Sequence, residues 1–346
     1  MLPYVLVLIL VAGWAYLEKN ALNWNAFWIP AIILILFATV RDYTIGTDTP
    51  TYTRNFRLHI NPDGIAFNPY IEQGYQFLEH LALRISFDYS VYFFICASII
   101  IPLTLLSIKK LSPDYVMSLF CHITYGFYTF FFSGVRQGIA MAICLYAHSF
   151  IINKKIISAI VIIFIATLFH VSAYILFIFL ISTSVKIRLE YKVLIYFIIS
   201  LLLSNVAINY MADSNDRYAT YTGTVNNSGG YIILAFYSVI AFVFYIFCSA
   251  YRRKDKVYSY FEELMLCGIA FLIPIALLGT DPSGPQRFLY YFSWSVVILF
   301  PFLLRRFKGI GVRILFIVIS IMYYCIATER FFSLSPYLVN RQFSFF

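Results

Sequence analysis

The chain has 346 residues, of which 62% are apolar and only 12% are charged, and its formal net charge is +9. Soluble globular proteins carry about twice this share of charged residues. The composition therefore excludes a soluble form and indicates an integral membrane protein. The excess of basic over acidic residues is explained by the predicted membrane topology, so we expect no nucleic-acid partner.

Apolar runs follow one another along the chain, separated by short polar breaks. A membrane-spanning helix needs roughly 17 to 25 apolar residues, and the runs predict an all-α polytopic membrane protein with about twelve transmembrane helices. No stretch is long enough for a separate globular domain, so we expect residues 1–346 to form a single membrane domain. The predicted helices cover residues 2–17, 25–40, 89–108, 114–132, 135–152, 156–169, 171–184, 191–208, 230–250, 259–279, 288–304 and 310–327.

The basic residues predict the orientation of these helices. If the helices alternate in direction, one set of breaks contains every lysine, and the positive-inside rule makes this set cytoplasmic. Both termini then face outward. The basic residues of the outer set are all arginines, namely Arg41, Arg54, Arg57, Arg84, Arg136, Arg217, Arg287, Arg330 and Arg341.

An outer face with arginine and no lysine indicates a site for an anion. The planar guanidinium can bind phosphate or carboxylate through two hydrogen bonds, and an ammonium group cannot replace it. Arg41 ends the second predicted helix, while Arg136 and Arg287 begin the fifth and the eleventh, where free backbone N–H groups also attract anions. The alternative is that these arginines pair with acidic residues on the same side.

Residues 41–88 are predicted to form an outer loop. It begins with the polar stretch RDYTIGTDTPTYTRNF at residues 41–56 and continues into YIEQGYQFLEHLALRISF, which predicts an amphipathic helix able to cover an outer cavity. Asp48 in the first stretch is a candidate base. Its alternative role is an Asx-type turn before Pro50.

The apolar run from Ile156 to Ser184 is too long for one span and too short for two, at roughly 43 Å of helix against a hydrocarbon core of about 30 Å. We therefore expect a break at residues 168–172, which places His170 below the outer surface in a water-filled depression. An ionisable side chain at that depth is a functional candidate. Alternatively, His170 is a neutral imidazole that caps the turn through a backbone hydrogen bond.

A second outer loop is predicted at residues 209–230, and it is rich in tyrosine, threonine and asparagine. Such residues suit contact with sugars, although they also occur in any solvated loop. The six cysteines all lie inside apolar runs without a CxxC spacing, so we expect neither disulfides nor a zinc site.

Three short stretches, which we call the landmark stretches, resemble the EpsG-like group of Wzy-type polysaccharide polymerases. They are GTDT with Tyr52 after Arg41, VRQGIA with its arginine at a helix start, and the FHVSA turn. The resemblance implies a multi-spanning, lipid-donor glycosyltransferase fold (GT-C-like) in the bacterial inner membrane, active at its outer leaflet. It also implies polyprenyl-pyrophosphate-linked oligosaccharides as donor and acceptor, with a chain-length regulator and a flippase as partners.

Such a transfer needs groups that bind the leaving pyrophosphate and a base that takes the proton of the acceptor hydroxyl. The outer loops contain no DxD or DxE pair and no His/Cys cluster, so we expect no metal and no other cofactor. A ligase for the same glycans shares all these features, and a flippase or other transporter and a membrane O-acyltransferase are further alternatives. The candidate pyrophosphate ligands are Arg136, Arg41, Arg287 and Arg217; the candidate bases are His170, then Asp48, then Asp281; Gln137, Tyr52 and Asp281 are expected to line the substrate.

Overall fold

The structure is a computed structural model that describes residues 1–214, 229–278, 285–331 and 334–343. Regular structure within these ranges is helical, and the one β-bridge among them joins Arg41 to Val339. The chain divides into two compact units, one formed by Met1–Leu176 with Lys308–Phe346 and the other by Phe177–Phe307.

The first unit contains all three stretches that carry the family resemblance. It begins with ten helices: α1 Leu2–Leu22, α2 Trp28–Thr39, α3 Thr49–Tyr52, α4 Arg54–Arg57, α5 Gln73–Ile85, α6 Tyr89–Leu111, α7 Tyr115–Thr124, α8 Phe127–Ser133, α9 Val135–Ile152 and α10 Ile156–Thr167.

The second unit begins within α11 and ends after α17, and the chain then returns to the first unit in α18. These helices are α11 Ile175–Ser184, α12 Leu189–Ser214, α13 Gly229–Phe247, α14 Ser249–Arg252, α15 Lys256–Leu277, α16 Leu289–Ser293, α17 Ser295–Arg306 and α18 Ile310–Ile326.

Each of the twelve predicted segments contains a helix. In the described parts of the chain, six helices are long and apolar enough to cross a membrane, or seven if the bent pair Gln286–Ser293 and Ser295–Arg306 is one span. Shorter apolar helices cover Trp28–Thr39, Ile156–Thr167 and Val171–Thr183, among others. These helices fit a multi-pass membrane protein. The prediction of about twelve spans is larger than the six or seven spans that helix length and composition support.

The outward faces of the helices are apolar, as expected for contact with lipid. Ile157 and Phe164 on α10 are 81% and 55% exposed, and Ile310 on α18 is 78% exposed. Large apolar side chains are exposed along many of the described helices, Trp28, Ile157 and Ile310 among the most exposed.

Aspartates begin several of these helices by accepting hydrogen bonds from the first backbone N–H groups. Asp88 accepts from Ser90 N before α6, and Asp114 accepts from Met117 N before α7. Free N–H groups at a helix start would otherwise lack partners in an apolar setting. These caps explain why the helices begin directly after the polar breaks.

The core of the first unit is α9, which packs against α6 and α10. Nearly all of its side chains are buried, including the polar residues Gln137 and His148. The amphipathic segment forms α5, which packs on α6 through Tyr75, Leu78 and Leu83, although the predicted apolar residues Leu81 and Ile85 are exposed.

In the second unit α15 is central, since it packs against α12, α13 and α17. Two partly buried ion pairs join α15 to its neighbours: Lys192 Nζ on α12 lies 2.7 Å from Glu263, and Arg252 Nε on α14 lies 2.5 Å from Glu262. The six cysteines are unpaired, and all except Cys325 are buried.

Candidate active site

The polar stretch after α2 is attached to the break between α8 and α9. The Thr49 hydroxyl donates to the Phe132 carbonyl oxygen at 2.5 Å, and the Thr47 backbone N–H donates to Ser133 Oγ at 3.2 Å. Gly46 makes this approach possible, because its φ is +103° and a Cβ there would lie 2.3 Å from the Phe132 oxygen. The first landmark stretch therefore contacts the residues directly before the second.

Arg136 is the second residue of α9 and lies beside this loop. Its Nη1 donates to Glu72 Oε2 at 2.7 Å, and both side chains are 13% exposed. The guanidinium carbon lies 5.9 Å from the Tyr52 ring centre and 5.4 Å from that of Tyr75, within range of cation–π attraction. Its Nε is buried and makes no hydrogen bond. The cation is thus held by one carboxylate and two tyrosine rings.

Glu72, the residue before α5, connects this arginine to the third landmark stretch. Its Oε1 accepts the backbone N–H of Val171 at 3.3 Å, and the nearby Gly74 N–H donates to the Leu168 carbonyl oxygen at 2.8 Å. Burial raises the pKa of Glu72, but the charge of Arg136 and backbone N–H groups, that of Val171 among them, outweigh burial and hold the pKa below its usual value. Glu72 is therefore an ionised carboxylate shared by three segments.

The break between α10 and α11 lies where the apolar run predicts it, and His170 begins the 3₁₀ turn Val171–Tyr174. Its Nδ1 accepts the Ser172 backbone N–H at 3.1 Å and lies 2.7 Å from Ser172 Oγ. A backbone N–H can only donate, so Nδ1 carries no proton and the proton of the neutral ring is on Nε2. His170 therefore caps the turn through its side chain. The Nδ1 lone pair, which would have to take the proton if His170 were the base, already accepts hydrogen bonds.

Arg41 belongs to the same unit but is enclosed. Its guanidinium lies 3.7 Å from the Phe93 ring centre and 4.5 Å from that of Phe132, and Nη1 donates to the Ala38 carbonyl oxygen. The side chain is 1% exposed, and burial lowers its pKa to about 10, so it stays charged at neutral pH. In this conformation Arg41 presents no donor to solvent.

Asp48 is half-buried in the loop that contacts α8. Its Oδ1 accepts the Thr47 hydroxyl at 3.2 Å, and its side chain makes no capping bond to α3. A carboxylate of this kind can take a proton from a bound hydroxyl, so Asp48 stays a candidate base.

The other predicted site residues are placed as follows. Tyr52 is 7% exposed and faces Arg136, while Gln137 is 2% exposed inside α9. Arg287 belongs to the second unit, in the 3₁₀ helix Pro285–Phe288. Arg217 and Asp281 lie outside the described residues.

The sequence indicated Glu72 only as a polar residue of an amphipathic segment. Its position directly before a helix is a weak signal, because acidic residues favour helix N-termini. Within the described ranges, no group of three or more His, Cys, Asp and Glu side chains is arranged to hold a metal ion. A guanidinium flanked by tyrosines, with a carboxylate and an imidazole nearby, can bind an oxyanion and assist a proton transfer.

Searches of curated proteins and of solved structures gave no match. A scan of protein-family profiles, in contrast, matches the EpsG family over residues 24–344, nearly the whole chain and including all three landmark stretches. The chain belongs to the EpsG family.

Proposed function

We propose that this protein polymerises polyprenyl-pyrophosphate-linked oligosaccharide repeat units, as membership of a family with a polysaccharide polymerase role suggests. The growing glycan is transferred from its lipid pyrophosphate to a sugar hydroxyl of a new lipid-linked repeat, and polyprenyl pyrophosphate is released. The observation that carries this proposal is Arg136, a largely buried cation at a helix start next to the other two landmark stretches.

Arg136 is assigned to the leaving group. When the bond between the sugar and the pyrophosphate breaks, negative charge builds on the pyrophosphate, and a guanidinium fixed in a dry site stabilises it. Removing one hydrogen-bond donor from an oxyanion hole costs about 2.7 to 4 kcal/mol of transition-state stabilisation, and we expect the contact from Arg136 to contribute a similar amount. Arg41, which is enclosed by aromatic rings, is assigned to holding the loop in place.

The new glycosidic bond forms as the acceptor hydroxyl loses its proton, and we assign this proton to Asp48. The sequence favours His170 for this role, but the Nδ1 lone pair of this ring already accepts bonds from Ser172. General base catalysis by one such group contributes about 10²- to 10⁴-fold.

The membrane arrangement in this proposal keeps the orientation argued from the arginines. About twelve spans in a GT-C-like fold cross the bacterial inner membrane, and the site opens to the outer leaflet. Transfer uses arginine in place of a divalent cation, so activity should survive EDTA. A flippase that supplies the repeats and a regulator of chain length are the proposed partners.

The test is polymer laddering on gels from cells that lack the native gene and carry Arg136→Lys, Arg136→Ala or His170→Ala, with membrane levels measured for each. Arg136→Lys and Arg136→Ala should both abolish the ladder while lipid-linked single repeats accumulate, because lysine cannot make two parallel bonds to phosphate. Arg84→Ala is the control, since Arg84 forms an exposed ion pair with Asp63 that should contribute little.

The outcomes distinguish the alternatives. Full ladders from both Arg136 variants would place the site elsewhere. A wild-type protein that restores no ladder, but moves labelled lipid-linked repeats across vesicle membranes, would favour a flippase. Transfer of glycan to a different acceptor would identify a ligase.

A further inference from the structure

The pairing of Glu72 with Arg136 is not required by the transfer chemistry proposed above. A carboxylate 2.7 Å from the cation that binds the leaving group also lies on the side of the leaving group, and the role of base is already assigned to Asp48. Glu72 nevertheless contacts the cation that we assign to pyrophosphate. Its role needs a separate explanation.

The geometry of the guanidinium limits where an oxyanion can bind. Arginine binds an oxyanion through two donors either along the edge that includes Nε or along the edge formed by the two terminal nitrogens. The Nε of Arg136 is buried, so the first edge is closed. The second edge includes Nη1, which already donates to Glu72 Oε2. A phosphate bound along this edge would therefore share Nη1 with Glu72 and lie directly beside its carboxylate.

Electrostatic repulsion also prevents phosphate and Glu72 from binding Arg136 together. Glu72 is 13% exposed, and its pKa is held below 4.5, so it stays ionised at neutral pH. A pyrophosphate group beside an ionised, poorly solvated carboxylate meets strong like-charge repulsion. The two anions therefore exclude each other from the same cation.

We propose that Glu72 is the resident anion of the Arg136 site, and that pyrophosphate takes its place when the lipid-linked substrate binds. This inference rests on the proposed function. Because Glu72 Oε1 also accepts the Val171 N–H, the exchange frees that backbone group. The backbone bond from Gly74 to Leu168 does not involve the carboxylate and keeps α5 attached.

Binding of inorganic pyrophosphate to the purified full-length protein in detergent micelles tests the exchange. Removing the charge of Glu72 by Glu72→Gln should tighten binding at least about fivefold, the lower end of the usual range for coupled sites. Arg136→Ala, alone or combined with Glu72→Gln, should abolish it. Glu79→Gln is the matched control, because Glu79 is half-buried on α5 and accepts a hydrogen bond from Asn55 rather than from Arg136. It should change the affinity much less than Glu72→Gln.

A gain in affinity is the informative result, since a residue with only a structural role would weaken binding when altered. Unchanged or weaker binding by Glu72→Gln, with binding still lost in Arg136→Ala, would overturn the exchange and leave the phosphate site of Arg136 intact. No binding by the wild type, or binding that survives Arg136→Ala, would overturn the phosphate site and the exchange together.

Amide hydrogen exchange at Val171 provides a second readout that does not depend on affinity. Pyrophosphate should speed exchange of this amide in the wild type, because the carboxylate that protects it moves away. In Glu72→Asp, which is one methylene shorter and reaches Val171 less well, the amide should exchange fast without ligand. Slower exchange at Val171 on adding pyrophosphate would contradict the proposal.

Discussion

Glu72 Oε2 and Arg136 Nη1 lie 2.7 Å apart although the two residues are separated by 64 positions in the chain. The pair connects the residue before α5 to the first turn of α9. A third partner, the Val171 N–H, joins the turn after α10 to the same carboxylate. One side chain thus fixes the relative positions of three segments, and its removal should be measurable as a loss of stability.

Glu72→Gln is expected to lower the free energy of unfolding by about 1.5 to 3 kcal/mol at pH 7, the range for a hydrogen bond to a charged group. The pKa of Glu72 is below 4.5 in the folded protein, so its contribution is complete above pH 4.5 and is lost as pH falls through the lowered pKa. The difference in Tm between wild type and variant should therefore shrink below pH 4.5. A difference that stays constant far below that pH would refute the assignment.

Glu79→Gln should behave in the opposite way. Burial raises the pKa of Glu79 above 4.5 despite the 2.8 Å bond from Asn55, so its ionisation costs stability as pH rises above 4.5. A glutamine oxygen can still accept that bond without a charge. We expect the free energy of unfolding at pH 7 to stay the same or to rise by up to about 1 kcal/mol. Tm should then stay the same or rise. A clear loss of Tm at pH 7 would show that the ionised form is favoured.

Gly46→Ala tests how tightly the polar loop contacts α8. A Cβ at this position would lie 2.3 Å from the Phe132 carbonyl oxygen, and φ is +103°, so we expect a loss of about 1 to 3 kcal/mol of stability. Gly64→Ala is the control, because no atom lies within 4 Å of its Cβ position. Equal Tm values for the two variants would mean that the loop does not need this approach.

The helical segments and the break before His170 were predictable because they depend on local composition. Apolar runs, their lengths and the polar residues between them specify where helices begin and end. The partner of Arg136 was not predictable, since Glu72 is distant in sequence and no periodicity points to it. The burial of Arg41 was hidden for the same reason, because Phe93 and Phe132 come from other helices.

That enclosure leads to a prediction for Arg41. Methionine is unbranched and apolar and can fill the space between the two rings without a buried charge, so Arg41→Met should cost less stability than Arg41→Ala, which leaves a cavity worth about 2 to 5 kcal/mol. Denaturation of the purified variants in detergent compares them. If both variants are equally unstable, the bond from Nη1 to the Ala38 oxygen matters more than filling the space.

The assignment of the proton acceptor gives opposite expectations for Asp48 and His170. Asparagine is a good N-cap, so His170→Asn should preserve the turn at Val171–Tyr174 and much of the polymer ladder, whereas His170→Ala should lose about 1 kcal/mol of stability. Asp48→Asn removes the base and should lower the polymerisation rate by about 10²- to 10⁴-fold at normal membrane levels. Asp63→Asn, at an exposed ion pair, is the control and should keep a full ladder. If His170→Asn abolishes the polymer ladder while Asp48→Asn keeps it, His170 is the base and Asp48 is not. Asparagine still caps the turn, so the loss of the cap could not explain such a result.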